Sequence, residues 1–234
     1  VSSTKGKITE YVYDQVFDFH DGYAAVKIDG LWGYINMLGD TAIPMQYTDV
    51  TNFIDGFACA TDENGDIFVI DKDGELVSQK VDGFKTAGEC HGNYFTVKTK
   101  NDEWQLLNLE GEKVIPSSER FVQWSEGIWL VGKSNDDCGV YLPDCGKYYP
   151  GDSTAYQYAN RVVVTYNKKD SMYDIATGQQ ICSYDEIAPF SEGVACVQQG
   201  NQCGYIDING ALIIPMQHFV GRNFSNGVAV VTYG

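Results

Sequence analysis

The chain of 234 residues carries 16 Lys and Arg against 32 Asp and Glu, a formal net charge of −16. Such a field repels phosphate backbones and anionic bilayers, so nucleic acid is not an expected partner. Hydrophobic residues at 44% suffice for a core, but no apolar run approaches the ~18 residues of a membrane-crossing helix, so membrane insertion is not expected.

The chain opens at Val1, without an initiator Met or an apolar signal stretch, which is the expected mark of an upstream segment removed or truncated. A tail strand is predicted over 5–15, around Lys7-Ile8-Thr9-Glu10-Tyr11. From Phe19 onward the sequence repeats. Gly or Asn stands four residues ahead of a small apolar position at Gly22, Gly56, Asn93, Gly127, Asn160, Gly193 and Gly227, at spacings of 33 to 37 residues. These two residue types most readily accept positive φ, so the position reads as a backbone turn. Next comes a short strand such as Tyr23-Ala24-Ala25-Val26, a turn at Asp29-Gly30, and a second strand, Trp32-Gly33-Tyr34-Ile35. A second turn follows at Gly39, with counterparts at Gly74, Gly111, Gly146, Gly178 and Gly210. A third strand leads to Ile43-Pro44, with counterparts Ile115-Pro116 and Ile214-Pro215. Apolar residues alternate along these segments, which is the signature of strands. The three prolines are predicted at strand exits, where a missing N–H is tolerated.

Each unit therefore reads as a three-stranded antiparallel meander, over 16–49, 50–83, 84–120, 121–153, 154–186 and 187–220, with a partial unit at 221–234. The unbroken repeat predicts one all-β domain spanning 1–234 with about seven units. Such a unit cannot bury both faces alone, so neighbours must cover it. The small strands Ala24-Ala25, Ala58-Cys59-Ala60 and Val194-Ala195-Cys196 suit a β-propeller, where space is tight near the axis. An open β-solenoid or superhelical array is the alternative.

The segments Phe19 to Pro44, Phe190-Ser191-Glu192-Gly193-Val194-Ala195 and Gly204-Tyr205-Ile206-Asp207 resemble the WG-repeat family, a bacterial β-rich repeat. Only Trp32-Gly33 keeps the literal pair, and Gly139 and Gly204 follow Cys instead. The resemblance implies a structural or binding module and carries over no catalytic residues.

Several residues invite chemistry. Cys138/Cys145 and Cys196/Cys203 are each seven apart and are candidate disulfides; Cys59, Cys90 and Cys182 read as small apolar fillers. His20, His91 and His218 lie in different units and assemble no metal site. Asp62-Glu63-Asn64-Gly65-Asp66 and Asp71-Lys72-Asp73-Gly74-Glu75 resemble calcium loops but lack the EF-hand spacing, so turns are expected. Asp21, Asp55, Glu126 and Glu192 each precede the first-anchor Gly, which predicts acceptance of backbone N–H bonds in that turn. The phenylalanines ahead of each anchor are expected to plug gaps between units. No nucleophile elbow is present. No cofactor is expected and the chain does not read as an enzyme, the minor alternative being one with a site at the array centre.

Departures from the repeat are where recognition is expected. Trp124 and Trp129 fall outside the template. Tyr148, Tyr149, Tyr156 and Tyr158 form a tyrosine-rich stretch able to give both apolar contact and hydrogen bonds. These six residues are the predicted recognition surface, for a protein partner first and a carbohydrate or cell-surface ligand second. An extracellular or surface location is favoured slightly over the cytoplasm.

Overall fold

A computed structural model describes residues 12–116, 119–134, 136–218 and 220–232. The predicted tail strand lies largely outside these residues. The chain divides into two compact units, Val1–Val122 and Gln123–Gly234. It is all-β, a series of small antiparallel sheets in chain order. The first unit holds β1 (Gln15–Val16), β2 (Tyr23–Ile28), β3 (Leu31–Asn36) and β4 (Thr41–Tyr47) in one sheet. A second sheet follows of β5 (Asp49–Val50), β6 (Phe57–Thr61) and β7 (Ile67–Asp71), then a third of β8 (Thr86–His91), β9 (Tyr94–Lys98) and β10 (Trp104–Asn108). The unit boundary falls inside the next strand. The fourth sheet is β11 (Phe121–Ser125), β12 (Ile128–Ser134), β13 (Asp137–Leu142) and β14 (Lys147–Ser153). The fifth is β15 (Tyr156–Tyr158), β16 (Arg161–Tyr166), β17 (Lys169–Asp174) and β18 (Gln180–Tyr184). The sixth is β19 (Glu186–Ile187), β20 (Val194–Gln199), β21 (Gln202–Asp207) and β22 (Leu212–His218). The two-stranded sheet β23 (Val220–Gly221) and β24 (Val231–Thr232) ends the series.

The first, fourth, fifth and sixth of the predicted meanders thus gain a fourth strand. A short leading strand pairs with the small-residue strand, as Val16 does with Val26 and Ile187 with Val197. The β2–β3 hairpin turn has left-handed backbone at both central residues: φ is 51° at Asp29 and 86° at Gly30. This primed turn matches the right-handed strand twist, and Asp-Gly is suited to it. The first-anchor turns with Gly repeat it, with φ 51° and 88° at Asp21-Gly22 and 56° and 80° at Glu192-Gly193, whereas at the Asn anchors positive φ falls on the residue before, Gly92 or Ala159, and not on Asn93 or Asn160.

Pro44 and Pro215 do not stand at strand exits. They lie inside β4 and β22, where the register jumps. Trp32 pairs with Tyr47 and Tyr34 with Ile43, so residues 44–46 bulge opposite the single Gly33. The sixth sheet does the same, Cys203 pairing with His218 and Tyr205 with Ile214. A bulge frees its proline from the ladder. It also presses backbone onto the facing glycine: a Cβ on Gly33 would sit 2.5 Å from the Ile43 carbonyl oxygen, and one on Gly204 2.6 Å from that of Ile214.

Both faces of each small-residue strand are buried. In the first sheet Ala24 and Val26 join Ile35, while Ala25, Trp32 and Tyr34 pack against Phe53, Ala58, Ala60 and Phe68 of the second segment. Cys59, Ile67 and Val69 on the other side of the second sheet meet Cys90, Phe95 and Val97 of the third. In the second unit Val163 and Met172 pack on Ile187, Phe190 and Ala195. Phe53 is fully buried, its ring 5.1 Å from Tyr23 and 4.7 Å from Tyr34. Burying such a ring contributes roughly 1.5–3 kcal/mol. Phe19, by contrast, is exposed.

Polar bonds also join successive sheets within each unit. Two of the four carboxylates predicted to serve their own turns serve the following one: Asp21 accepts from the Gly56 N–H at 2.6 Å, and Glu192 from the Asn226 and Gly227 N–H groups at 2.7 and 2.9 Å. At the fifth repeat Ala159 replaces the acid, and the Tyr158 hydroxyl accepts the Gly193 N–H at 3.2 Å instead. Tyr34 donates its hydroxyl to the Thr51 carbonyl at 2.7 Å, Tyr205 to that of Arg222 at 2.8 Å and Tyr156 to that of Ile187 at 2.7 Å.

Burial drives the Tyr34 and Tyr156 hydroxyls far above the ordinary tyrosine range. Above pH ~10 the unfolded chain loses these protons and the folded chain keeps them, so stability falls as pH rises. Urea midpoints are expected to fall from about pH 8–9, where the unfolded chain's cysteines ionise but the buried Cys59, Cys138, Cys182 and Cys196 thiols do not, and to drop further between pH 10 and 11, this last drop being smaller in Tyr34→Phe. Equal alkaline loss in that variant would remove Tyr34 from the account.

Candidate functional site

A groove of about 510 Å³ opens in the first unit. Leu31 at the start of β3, Gln46 and Tyr47 at the end of β4, and Phe68 of β7 line it. Asp62, Glu63 and Asn64 of the β6–β7 turn, Leu76 and Lys80 complete it. The turn is held by Asp62, which accepts the Asn64 and Asp66 N–H groups at 2.9 and 3.1 Å. Asp71 does likewise for Asp73 and Glu75. The calcium-like carboxylates are thus committed to their own loops, and no cluster of three or more metal-ligating side chains occurs among the described residues.

Lys80 reaches over the groove wall. Its ammonium lies 2.5 Å from Asp62 Oδ2 and 4.8 Å from the centre of the Phe68 ring. The bond to Lys80 holds the Asp62 carboxyl below its usual range, and the same bond raises the Lys80 ammonium. Tyr47 meets Phe68 edge to face at 5.9 Å, and its hydroxyl accepts from Gln46 at 3.2 Å. Leu31 and Leu76 are 38% and 51% exposed, so apolar area faces solvent beside a preformed ion pair. The arrangement offers an apolar contact flanked by amide and carboxylate groups.

Most of the predicted recognition surface is used internally. Trp129 is fully buried, and Trp124 is half-buried with its ring 5.3 Å from that of Trp129. Trp129 stands on β12 opposite Tyr141, so its departure from the repeat pattern marks core packing, not exposure. Tyr148 is half-buried opposite Tyr141. Tyr149 stacks on Tyr173 at 4.0 Å and donates to the Gly178 carbonyl. Tyr156 binds the next sheet, as does Tyr158, whose ring lies 5.2 Å from Phe190.

The candidate disulfides are not formed. Cys138 begins β13 and Cys145 lies in the turn beyond its far end. At about 3.3 Å per strand residue they are too far apart to bridge, since a disulfide needs Cα atoms within about 7 Å. Cys196 and Cys203 differ: they face the same side of neighbouring strands, beside a second cavity of about 270 Å³. His91 is buried, with Nδ1 3.6 Å from Asp55 and Nε2 3.8 Å from Glu89.

The sequence profile described as WG containing repeat matches residues 3–32, 32–65 and 182–203, well under half of the chain. No curated protein matches. Among solved structures, the chain is similar to the computationally designed Ika8 protein, with 14% identity, 92% of this chain and 78% of that one covered, and a TM-score of 0.36. BamB from Moraxella catarrhalis gives 10% identity, 91% and 77% coverage and a TM-score of 0.36. Hsv2 from Kluyveromyces lactis gives 9%, 86% and 77%, and 0.39.

Proposed function

We propose that the chain is a non-catalytic binding module that engages a protein partner through the groove of its first unit. The observation carrying this reading is the pair of exposed leucines, Leu31 and Leu76, beside the Lys80–Asp62 pair. Exposed apolar area rimmed by polar groups is the anatomy of an interface. The net charge of −16 favours a partner segment that carries Lys or Arg around an apolar residue. A carbohydrate reading is less well supported, because Lys80 lies over the Phe68 ring and occupies the face a sugar would stack on.

Leu31→Ser and Leu76→Ser sit on the surface, where substitutions typically change stability by less than ~0.5 kcal/mol. Immobilised wild-type chain should capture from the source lysate a protein that the double variant recovers at least ~10-fold less, about 1.4 kcal/mol of binding. Recovery should also fall as salt rises. Equal recovery by both chains would refute the groove as the site, and loss only on altering Tyr148 and Tyr149 would move it to the tyrosine stretch.

A further inference from the structure

Cys196 on β20 and Cys203 on β21 are diagonal neighbours: Cys196 pairs with Tyr205 and Cys203 with Gln198. Both thiols point at Gly221 of β23. A Cβ placed there would lie 2.7 Å from the Cys196 sulfur, 3.1 Å from the Cys203 sulfur and 2.9 Å from the Tyr205 hydroxyl. The two sulfurs therefore converge beneath one glycine, and the terminal strand pair is seated on them. Cys196, Cys203 and Tyr205 pack with Phe224, Ala229 and Val231 of that segment, and Tyr205 bonds the Arg222 carbonyl. Access exists as well. The 270 Å³ cavity is lined by both cysteines together with Glu186, Gln198 and Gly221. Cys59 and Cys90 also share one apolar cluster, but they lie deeper, at 0% and 2% exposure against 8% and 3% for Cys196 and Cys203.

We propose that Cys196 and Cys203 are a reversible dithiol that small disulfides oxidise, and that its oxidation loosens the terminal strand pair. One cysteine attacks the small disulfide and releases one small thiol. The second cysteine then attacks the mixed disulfide and releases the other. Two protein thiols and one small disulfide become one protein disulfide and two small thiols, each departing sulfur taking a proton from a cysteine. Burial pushes the Cys196 thiol up to about 11, so little thiolate is present and reaction is slow. Bonding brings the sulfurs to ~2.05 Å. Gly221 then loses close contact with at least one of them, and a gap of ~0.5–1 Å already forfeits much of a dispersion contact. Diagonal residues have Cβ atoms wider apart than the ~3.8 Å typical of a disulfide, so the bond is strained and easily reduced.

The test treats reduced chain with hydroxyethyl disulfide, alkylates the remaining thiols and maps peptides by mass. The first stable product should lack two hydrogens at Cys196 and Cys203, leave the other five cysteines alkylated, and revert with dithiothreitol. Amide exchange should then quicken across 220–232 and stay unchanged in the sixth sheet. Cys196→Ser and Cys203→Ser should each abolish both effects; because Ser is nearly isosteric, unchanged exchange before oxidation certifies the fold. A first crosslink between other cysteines, lasting single adducts, or a crosslink that leaves exchange at 220–232 unaltered would overturn the proposal.

Discussion

Gly33→Ala is expected to destabilise the first unit by about 2–3 kcal/mol, at the upper end of what overpacking costs. The added methyl would meet the Ile43 carbonyl oxygen at 2.5 Å and Pro44 backbone atoms at 2.7 Å. These are backbone atoms held in a bulge, so no rotamer change relieves them. Either the bulge opens, breaking the pairing of Trp32 with Tyr47, or β4 lifts from β3. Gly204→Ala should behave alike, since its methyl would meet the Ile214 carbonyl oxygen at 2.6 Å. Gly30→Ala is the control: nothing lies within 4 Å of its Cβ position, and its cost is only that of positive φ, about 1 kcal/mol. Urea midpoints of the three variants settle the order. A Gly33→Ala chain as stable as Gly30→Ala would show that the bulge yields freely.

Trp129→Ala should cost the second unit about 3–5 kcal/mol, the range for removing a buried large aromatic. The side chain is fully buried and supports Trp124 from one edge. Trp124→Ala should cost distinctly less, because its ring is half-buried. The measurement is the denaturation midpoint with Trp fluorescence followed in both variants. Were Trp129→Ala to leave stability within ~0.5 kcal/mol while weakening partner capture, the residue would be a recognition residue after all.

Much of the fold could be read from residue types. Gly and Asp-Gly pairs dictate primed turns, and alternation dictates strands, so the meanders and their order were legible. The leading strands were not: Gln15–Val16, Asp49–Val50 and Glu186–Ile187 are two residues each, too short to show alternation. Carboxylates ahead of the anchor glycines were recognised as turn acceptors, but Asp21 and Glu192 act on the next repeat. A period in sequence shows that a contact recurs; it does not show which copy receives it. The tyrosines misled for a related reason. Tyr156 and Tyr158 break the pattern because they replace other inter-sheet contacts, not because they are spare. The groove was invisible, since Leu31, Asp62 and Leu76 belong to unremarkable positions that only packing brings together. One more recurrence escaped notice: Asp14, Asp152 and Asp185 each accept from a hairpin turn 15 residues further on, at the Asp29, Asn167 and Gly200 N–H groups.

The offset of the anchor carboxylates bears on how such a chain can grow. Where a carboxylate makes the joint, as from Asp21 to Gly56 and from Glu192 to Gly227, one repeat supplies the acceptor and the next the receiving turn, so the joint is head-to-tail. Duplicating or excising a whole repeat therefore regenerates a complete joint at the new boundary, whereas a change of a few residues would separate the two halves. Selection acting on array length would accept steps of one repeat and reject fractions. The fifth repeat illustrates the tolerance within that rule: with Ala159 in the acid's place, a neighbouring hydroxyl took over the acceptor role and the succession was preserved.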